Sequence, residues 1–272
     1  MTSQIRVTHL FVYPIKSLRG ISLEVAPVTS FGLRHDRRFM LVLPDGTFIT
    51  QRHHPELTIF DVEMSAKRVV VTHPDGSSIR IPVRVEGVAN IRASIWDDSV
   101  DAFVGFPEAD SFFSDHMREP LRLAWMPETT HRQTDLTYSQ EGDRVSFADG
   151  YPILLVGQAS MDDLNTRLEI PLPINRFRPN IVVEGCDPWS EDSWTHAEMP
   201  RAALRLVKKC YRCVVTTTDQ RSGDRSKEPL ATLATFRKEE NKVWFGMNCI
   251  PDGMTGEWDA LEIRVGDRVI AS

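Results

Sequence analysis

At 272 residues, 41% of them hydrophobic and 26% charged, the chain is long enough for one large or two modest globular domains with an ample core. Its net charge of −6 argues against nucleic acid as the main partner, and no run approaches the roughly 18 apolar residues of a membrane span. Four cysteines without regular spacing suit a reducing compartment, and the opening MTSQIRVTHLFVYPIKS lacks the apolar core of a signal peptide. A cytoplasmic protein, with no nucleic acid and no membrane among its partners, is expected.

The first hundred residues are predicted to be β structure. A strand over Ile5 to Tyr13 ends at Pro14, and another covers Ile21 to Val25. Strands over Arg38 to Leu43 and Thr47 to Thr50 flank the turn signal Pro44-Asp45-Gly46, and strands over Val69 to Thr72 and Ser78 to Val83 flank Pro74-Asp75-Gly76. Many short strands with Gly and Pro punctuation predict a small barrel or sandwich. Lys16 and Ser17 sit in a strand-end loop, where a point charge and a hydroxyl hold an anion or simply meet solvent. The stretch from Gly32 to Arg38 crowds three arginines before a strand; Arg suits bidentate phosphate recognition, although such clusters usually form solvated surface. Gln51 and Arg52 are assigned no role.

Helical spacing of Phe112, Phe113, His116 and Met117 predicts a helix over Glu108 to Met117. The polar segment Met126 to Arg144 lacks periodicity and reads as a domain boundary or an active-site loop, dividing the chain into 1–126 and 127–272. Beyond it come a buried strand within Phe147 to Gly157 and a helix over Ala159 to Leu168 with Ser160 capping its start. Arg178 and Asn180, two apart, are predicted to share one strand face as a donor pair. A helix over Pro229 to Lys238 and a closing hairpin over Leu261 to Ile270 complete the chain.

The stretch LRLVKKCYRCVVTTTDQRSGDRSKEPL, Leu204 to Leu230, carries the distinctive chemistry. The β-branched run Val214 to Thr218 favours a strand, which would send Cys210 and Cys213, three apart, to opposite faces. Lys208, Lys209 and Arg212 surround the thiols, and neighbouring cations favour thiolate, the form that ligates a soft metal. A thioredoxin-like motif needs a helix after its first Cys, and a zinc site needs a second ligand pair, which the lone Cys186 and Cys249 do not supply. Buried structural thiols and a single ligand thiol both remain open on these residues.

The run Cys210-Tyr211-Arg212-Cys213 followed by Thr216-Thr217, then Asp219, Gly223 and Lys227-Glu228-Pro229-Leu230, resembles the core of the MOSC domain. More narrowly it is similar to the amidoxime-reducing component family of molybdenum enzymes and their bacterial relatives. Tyr13-Pro14-Ile15-Lys16-Ser17, Gly32-Leu33 with Asp36-Arg37, and Phe177 to Val183 extend the resemblance over nearly the whole chain. It implies a mainly β (α+β) fold: an N-terminal MOSC-type β-barrel domain, then a MOSC β-barrel domain with a few peripheral helices. It implies a molybdenum–molybdopterin cofactor, with Cys213 as metal ligand and catalytic residue. Cofactor contacts map onto Lys16, Ser17, Arg37, Gly150, Tyr151, Arg178 and Asn180, with Tyr211, Arg212 and Asn248 beside them. Three departures stand out: Gly150-Tyr151 replaces Thr-Ser, Tyr211 stands where Ser is common, and Asn248 replaces the aromatic of a Phe-Gly-x-Tyr loop.

The implied activity is reduction of small N-hydroxylated (N-oxygenated) compounds. No Cys-x4-Cys-x2-Cys or flavin motif is present, so a separate electron-donor protein of ferredoxin, flavoprotein or cytochrome type is expected. The alternatives are a sulfur-transfer or cofactor carrier using a Cys213 persulfide, and a β-barrel binding module with structural cysteines.

Overall fold

A computed structural model describes residues 4–84, 89–253 and 261–272. They are mostly strand with few helices. Central to them is a nine-stranded sheet, whose main path runs Ile270–Ala271, His196–Met199, Ala202–Tyr211, Lys242–Pro251, Ile153–Gly157, Ile181–Glu184, Arg6–Val12, Ile21–Leu23. The strand Arg6–Val12 thus lies antiparallel to Ile181–Glu184 and, with Ile21–Leu23 beside it, carries the start of the chain into a sheet otherwise built from its second half. Three smaller sheets flank it; one pairs Glu262–Arg264 with Val25–Thr29, again joining the two ends of the chain.

Burial explains the composition of the central strands. Along Ile153–Gly157 every residue is buried: Ile153 and Leu155 enter one apolar cluster, while Leu154 and Val156 enter another with Phe177 and Phe245 on the opposite face. A strand covered on both faces needs an unbroken apolar run, and ILLVG supplies it. Each such side chain contributes about 1.5–3 kcal/mol on burial.

Among the described residues the sheets are open paths and none closes into a barrel. The main path ends on strands of three and two residues, and such short edges offer little to template a neighbour. Four local expectations also change. The predicted helix at Pro229 shrinks to the single turn Leu230–Leu233. The closing hairpin does not form, because Glu262–Arg264 pairs with Val25–Thr29 and Ile270–Ala271 with His196–Met199. Ser160 lies inside the Gln158–Thr166 helix rather than at its cap; its hydroxyl donates to Glu191 at 2.8 Å and accepts the Trp189 N–H at 2.7 Å. The segment expected as a Phe-Gly-x-Tyr-type loop is the middle of the strand Lys242–Pro251.

Candidate functional site

Loops from both halves of the chain meet over a cleft of about 240 Å³. Its walls carry Lys16 and Ser17, Arg37, Thr50 to Arg52, Ala148 to Tyr151, Arg178, Asn180, Cys210 to Cys213, Thr216 and Asn248. All eleven sequence-predicted site residues therefore reach one place, although several arrive by routes the sequence did not suggest.

The two thiols are the main correction. Cys210 and Cys213 both line the cleft rather than opposite faces of a strand. The strand Ala202–Tyr211 has register irregularities at Leu206/Lys208 and Lys209/Tyr211 and then stops, so simple alternation fails before Cys213 is reached. The β-branched run forms a 3-10 turn, Val214–Thr217. Thr216 and Thr217 donate their hydroxyls to the carbonyls of Cys213 and Val214, at 3.0 and 2.8 Å, a local bonding pattern that competes with a ladder. The lysines turn away from the thiols: Lys209 pairs with Glu239 and Lys208 lies over the Tyr138 ring. Arg212 stays, donating from Nη1 to the Cys210 Sγ at 2.9 Å and from Nη2 to the Phe177 carbonyl at 2.6 Å. Cys210 is thereby held by Arg212, whereas no comparable contact engages the Cys213 thiol among the described residues.

The arginine pair is also differently built. Arg178 is not on a strand; it follows a 3-10 turn with φ 53°, and the strand starts only at Ile181. Ser17 and Arg37 likewise take left-handed φ of 71° and 48°. Such backbone costs on the order of 1–3 kcal/mol per residue and persists where surrounding contacts over-determine it. Those contacts are visible here. Gln51 donates its side chain to the Ser17 carbonyl at 2.5 Å, and Arg178 donates to the Leu18 carbonyl at 2.8 Å and to Gln220 at 3.1 Å. Asn180 lines the cleft and also positions its neighbours. Its amide nitrogen donates to the Phe11 carbonyl at 3.1 Å, and its oxygen accepts from Arg37 at 3.1 Å and from the Leu154 N–H.

Positive charge dominates the walls. Lys16, Arg37, Arg52, Arg178 and Arg212 line the cleft against one carboxylate, Asp149, so cations outnumber carboxylates even with buried Asp36 set against Arg37 at 2.5 Å. The guanidinium groups of Arg37 and Arg178 each lie 4.2 Å from the Tyr13 ring centroid. Burial pulls Arg178 down to about 10 and Lys16 down to about 8, so both stay mainly charged at neutral pH. Lys16 donates to Asp149 at 2.5 Å and to the Phe147 carbonyl at 2.8 Å. Confinement opposes ionisation of Asp149, but Lys16 and Arg52 outweigh it and hold the carboxyl well below the usual carboxylate range. Two buried polar atoms on cleft residues, the Tyr151 hydroxyl and the Arg212 Nε, have no protein partner.

Gln51, Arg52 and Asp149 are the contributions that sequence reading missed. Gln51 is 1% exposed despite being polar, and a buried glutamine marks a hydrogen-bonded clamp. Nothing local in the sequence announces that burial, because the partners lie at positions 17 and 220.

Comparison with known proteins agrees with this architecture. Residues 4–120 match the MOSC N-terminal beta barrel domain and residues 142–270 the MOSC domain. The chain is 31% identical to mitochondrial amidoxime reducing component 2 of Bos taurus over 85% of its length and 72% of that protein. It is 31% identical to mitochondrial amidoxime-reducing component 1 of Mus musculus over 97% of its length and 81% of that protein. The chain belongs to the amidoxime-reducing component family of MOSC proteins. It is also 30% identical to a molybdenum cofactor sulfurase of Oryza sativa subsp. japonica over 99% of its length, but this covers only 36% of that protein. Among the described residues of this family member no helix is long and apolar enough to cross a membrane.

Proposed function

We propose that this protein is a molybdenum-cofactor-dependent oxidoreductase that reduces small N-hydroxylated compounds with electrons from a separate donor protein. The observation that carries the reading is the meeting, in one cleft, of the Cys213 thiol with five cationic side chains against one carboxylate. This donor set fits a pterin cofactor bearing a phosphate and a thiolate-ligated metal: soft sulfur for the metal, charge-assisted donors for the phosphate. The orphaned Tyr151 hydroxyl and Arg212 Nε add polar atoms without a protein partner.

When bound, the cofactor supplies the two-electron redox chemistry needed to remove oxygen from an N–O bond. The protein's share is binding and orientation. Lys16, Ser17, Arg37 and Arg178 would hold the phosphate, each charge-assisted hydrogen bond being worth about 1.5–3 kcal/mol. Asn180 aims Arg37, Gln51 fixes Ser17, and Arg212 keeps Cys210 engaged so that Cys213 is the free ligand. Tyr211, 53% exposed, stands at the cleft where small substrates would enter.

The test is molybdenum and pterin content of protein made in a cofactor-sufficient host, wild type beside Cys213→Ser and Cys210→Ser. About one molybdenum and one pterin per chain, with metal lost only in Cys213→Ser, is expected, together with reduction of an N-hydroxylated amidine by the wild type. Protein that carries neither group sinks the reading. The sulfurase similarity and the two thiols in one cleft favour a second reading, sulfur transfer through a Cys213 persulfide. Mass spectrometry would then find a 32 Da adduct, about one sulfur atom, on Cys213 of metal-free protein.

A further inference from the structure

Away from the cleft, the tip of the Arg68–Thr72/Ser78–Pro82 hairpin meets the end of the Pro107–Met117 helix, and His73, Asp75 and His116 converge there. Their ligating atoms all lie within 4.8 Å of one another, and none of the three lines the cleft. The Asp75 carboxylate reaches both rings: Oδ1 is 3.2 Å from His73 Nδ1 and Oδ2 is 3.0 Å from His116 Nε2.

The hydrogen bonds around this centre turn lone pairs toward its middle. His116 Nδ1 lies 2.7 Å from the Phe112 carbonyl, which can only accept, so Nδ1 carries a proton and, in that tautomer of the neutral ring, the bare Nε2 faces Asp75. His73 Nδ1 accepts the Asp75 N–H at 3.4 Å, so its lone pair too faces the carboxylate. Ser77 has one hydroxyl proton, placed on Asp75 Oδ1 at 2.6 Å; its oxygen therefore turns a lone pair to His116 Nε2 at 3.0 Å. Acceptors thus face acceptors. A cation among them would meet these lone pairs. The two imidazole rings lie with centroids 4.1 Å apart, both beside the one carboxylate.

We propose that His73, Asp75 and His116 bind a divalent cation of the zinc class. Two imidazoles and one carboxylate suit zinc and its neighbours rather than magnesium or calcium. The Nδ1–H···O=C bond of His116 is the outer-shell contact that fixes a metal-ligating imidazole in its tautomer. Phe60 and Phe112 pack against the His116 ring, giving the centre an apolar floor, while Asp75 remains 53% exposed and leaves a path for entry. Bound there, the ion would clip the hairpin tip to the helix. With three protein ligands, a water completes a tetrahedral set.

Titration of the full chain with Zn2+ alone, and with Co2+ as a spectroscopic stand-in, tests this. One ion per chain is expected, with visible cobalt d–d bands and no sulfur-to-cobalt charge-transfer band, which separates this centre from the cleft thiols. Binding should persist in Cys213→Ser. It should weaken in His73→Ala and His116→Ala by more than the roughly 10–100-fold that loss of an outer-shell partner costs. Asp75→Asn, which keeps the turn's hydrogen-bond acceptor, covers the case in which a histidine variant fails to fold; it too should weaken binding. The proposal is overturned by the absence of stoichiometric binding, by binding that survives these substitutions, or by binding seen only with sulfur charge transfer.

Discussion

Lys16 sets the pH response of the cleft. Burial lowers it to about 8, with Asp149 pulling the other way and Arg132 and Arg52 adding to the fall. The amine is charged below that value and neutral above it, so its attraction for an anion is full at acidic pH and fades as pH rises through 8. Sulfate, whose charge is constant over this range, should therefore bind cofactor-free protein more weakly at pH 9 than at pH 7, and Lys16→Met should remove most of that slope. Isothermal titration at the two pH values decides it; an unchanged slope in the variant places the titrating group elsewhere. Arg178 makes a sharper prediction. Arg178→Met removes a charge-assisted contact and also the donor that braces the Leu18 carbonyl, so cofactor retention should fall by roughly 10-fold or more, from about 1.5–3 kcal/mol. Pterin content after dialysis measures this, and full retention would count against an Arg178 contact.

At the scale of elements, the strand Lys242–Pro251 shows how backbone geometry delivers a side chain. Gly246 sits within it at φ +75°, where an added Cβ would lie 2.8 Å from Val156 Cγ2 and 2.9 Å from the Leu155 carbonyl. The residue thus needs both a left-handed backbone and the absence of a side chain, two positions before Asn248. Gly246→Ala should destabilise the fold by about 1–3 kcal/mol. At roughly 2–4 °C per kcal/mol for a chain of this size class, the shift is readable in a thermal melt. An unshifted melt would show that the strand relaxes freely there. The same scale explains why the threonine run misled. Val214 to Thr217 have high β propensity, yet the strand before them ends at Tyr211, and two hydroxyl-to-carbonyl bonds stabilise the turn instead.

The whole molecule is held across its midpoint. Val7, Leu10 and Val12 of the first strand, with Val28 and Leu33, are all essentially buried in the cluster formed by the second half of the chain. At about 1.5–3 kcal/mol each, these five side chains are together worth about 7.5–15 kcal/mol, as much as the net stability of a typical domain. Residues 127–272 made alone should therefore lack a cooperative melt, and co-expression with 1–126 should restore it. A fragment that folds by itself would break this argument. The cleft has the same dependence: Lys16, Ser17 and Arg37 come from one half and both thiols from the other.

Read alone, the sequence was sufficient for the mainly β class, for the Pro-Asp-Gly turn at 74–76 and for the Glu108 to Met117 helix within one residue, while the family resemblance named eleven of the residues that line the cleft and left out Gln51, Arg52 and Asp149. The class, the turn and the helix rest on local patterning, whose physical causes lie within a few residues; the cleft residues rest on the resemblance. Tertiary structure alone decided that both thiols share the cleft, that Gln51 clamps Ser17, and that the chain's first strand enters the sheet of its second half. It also brought His73 and Asp75 to His116, about forty positions away. Each of those outcomes depends on a partner distant in sequence, which no local propensity encodes.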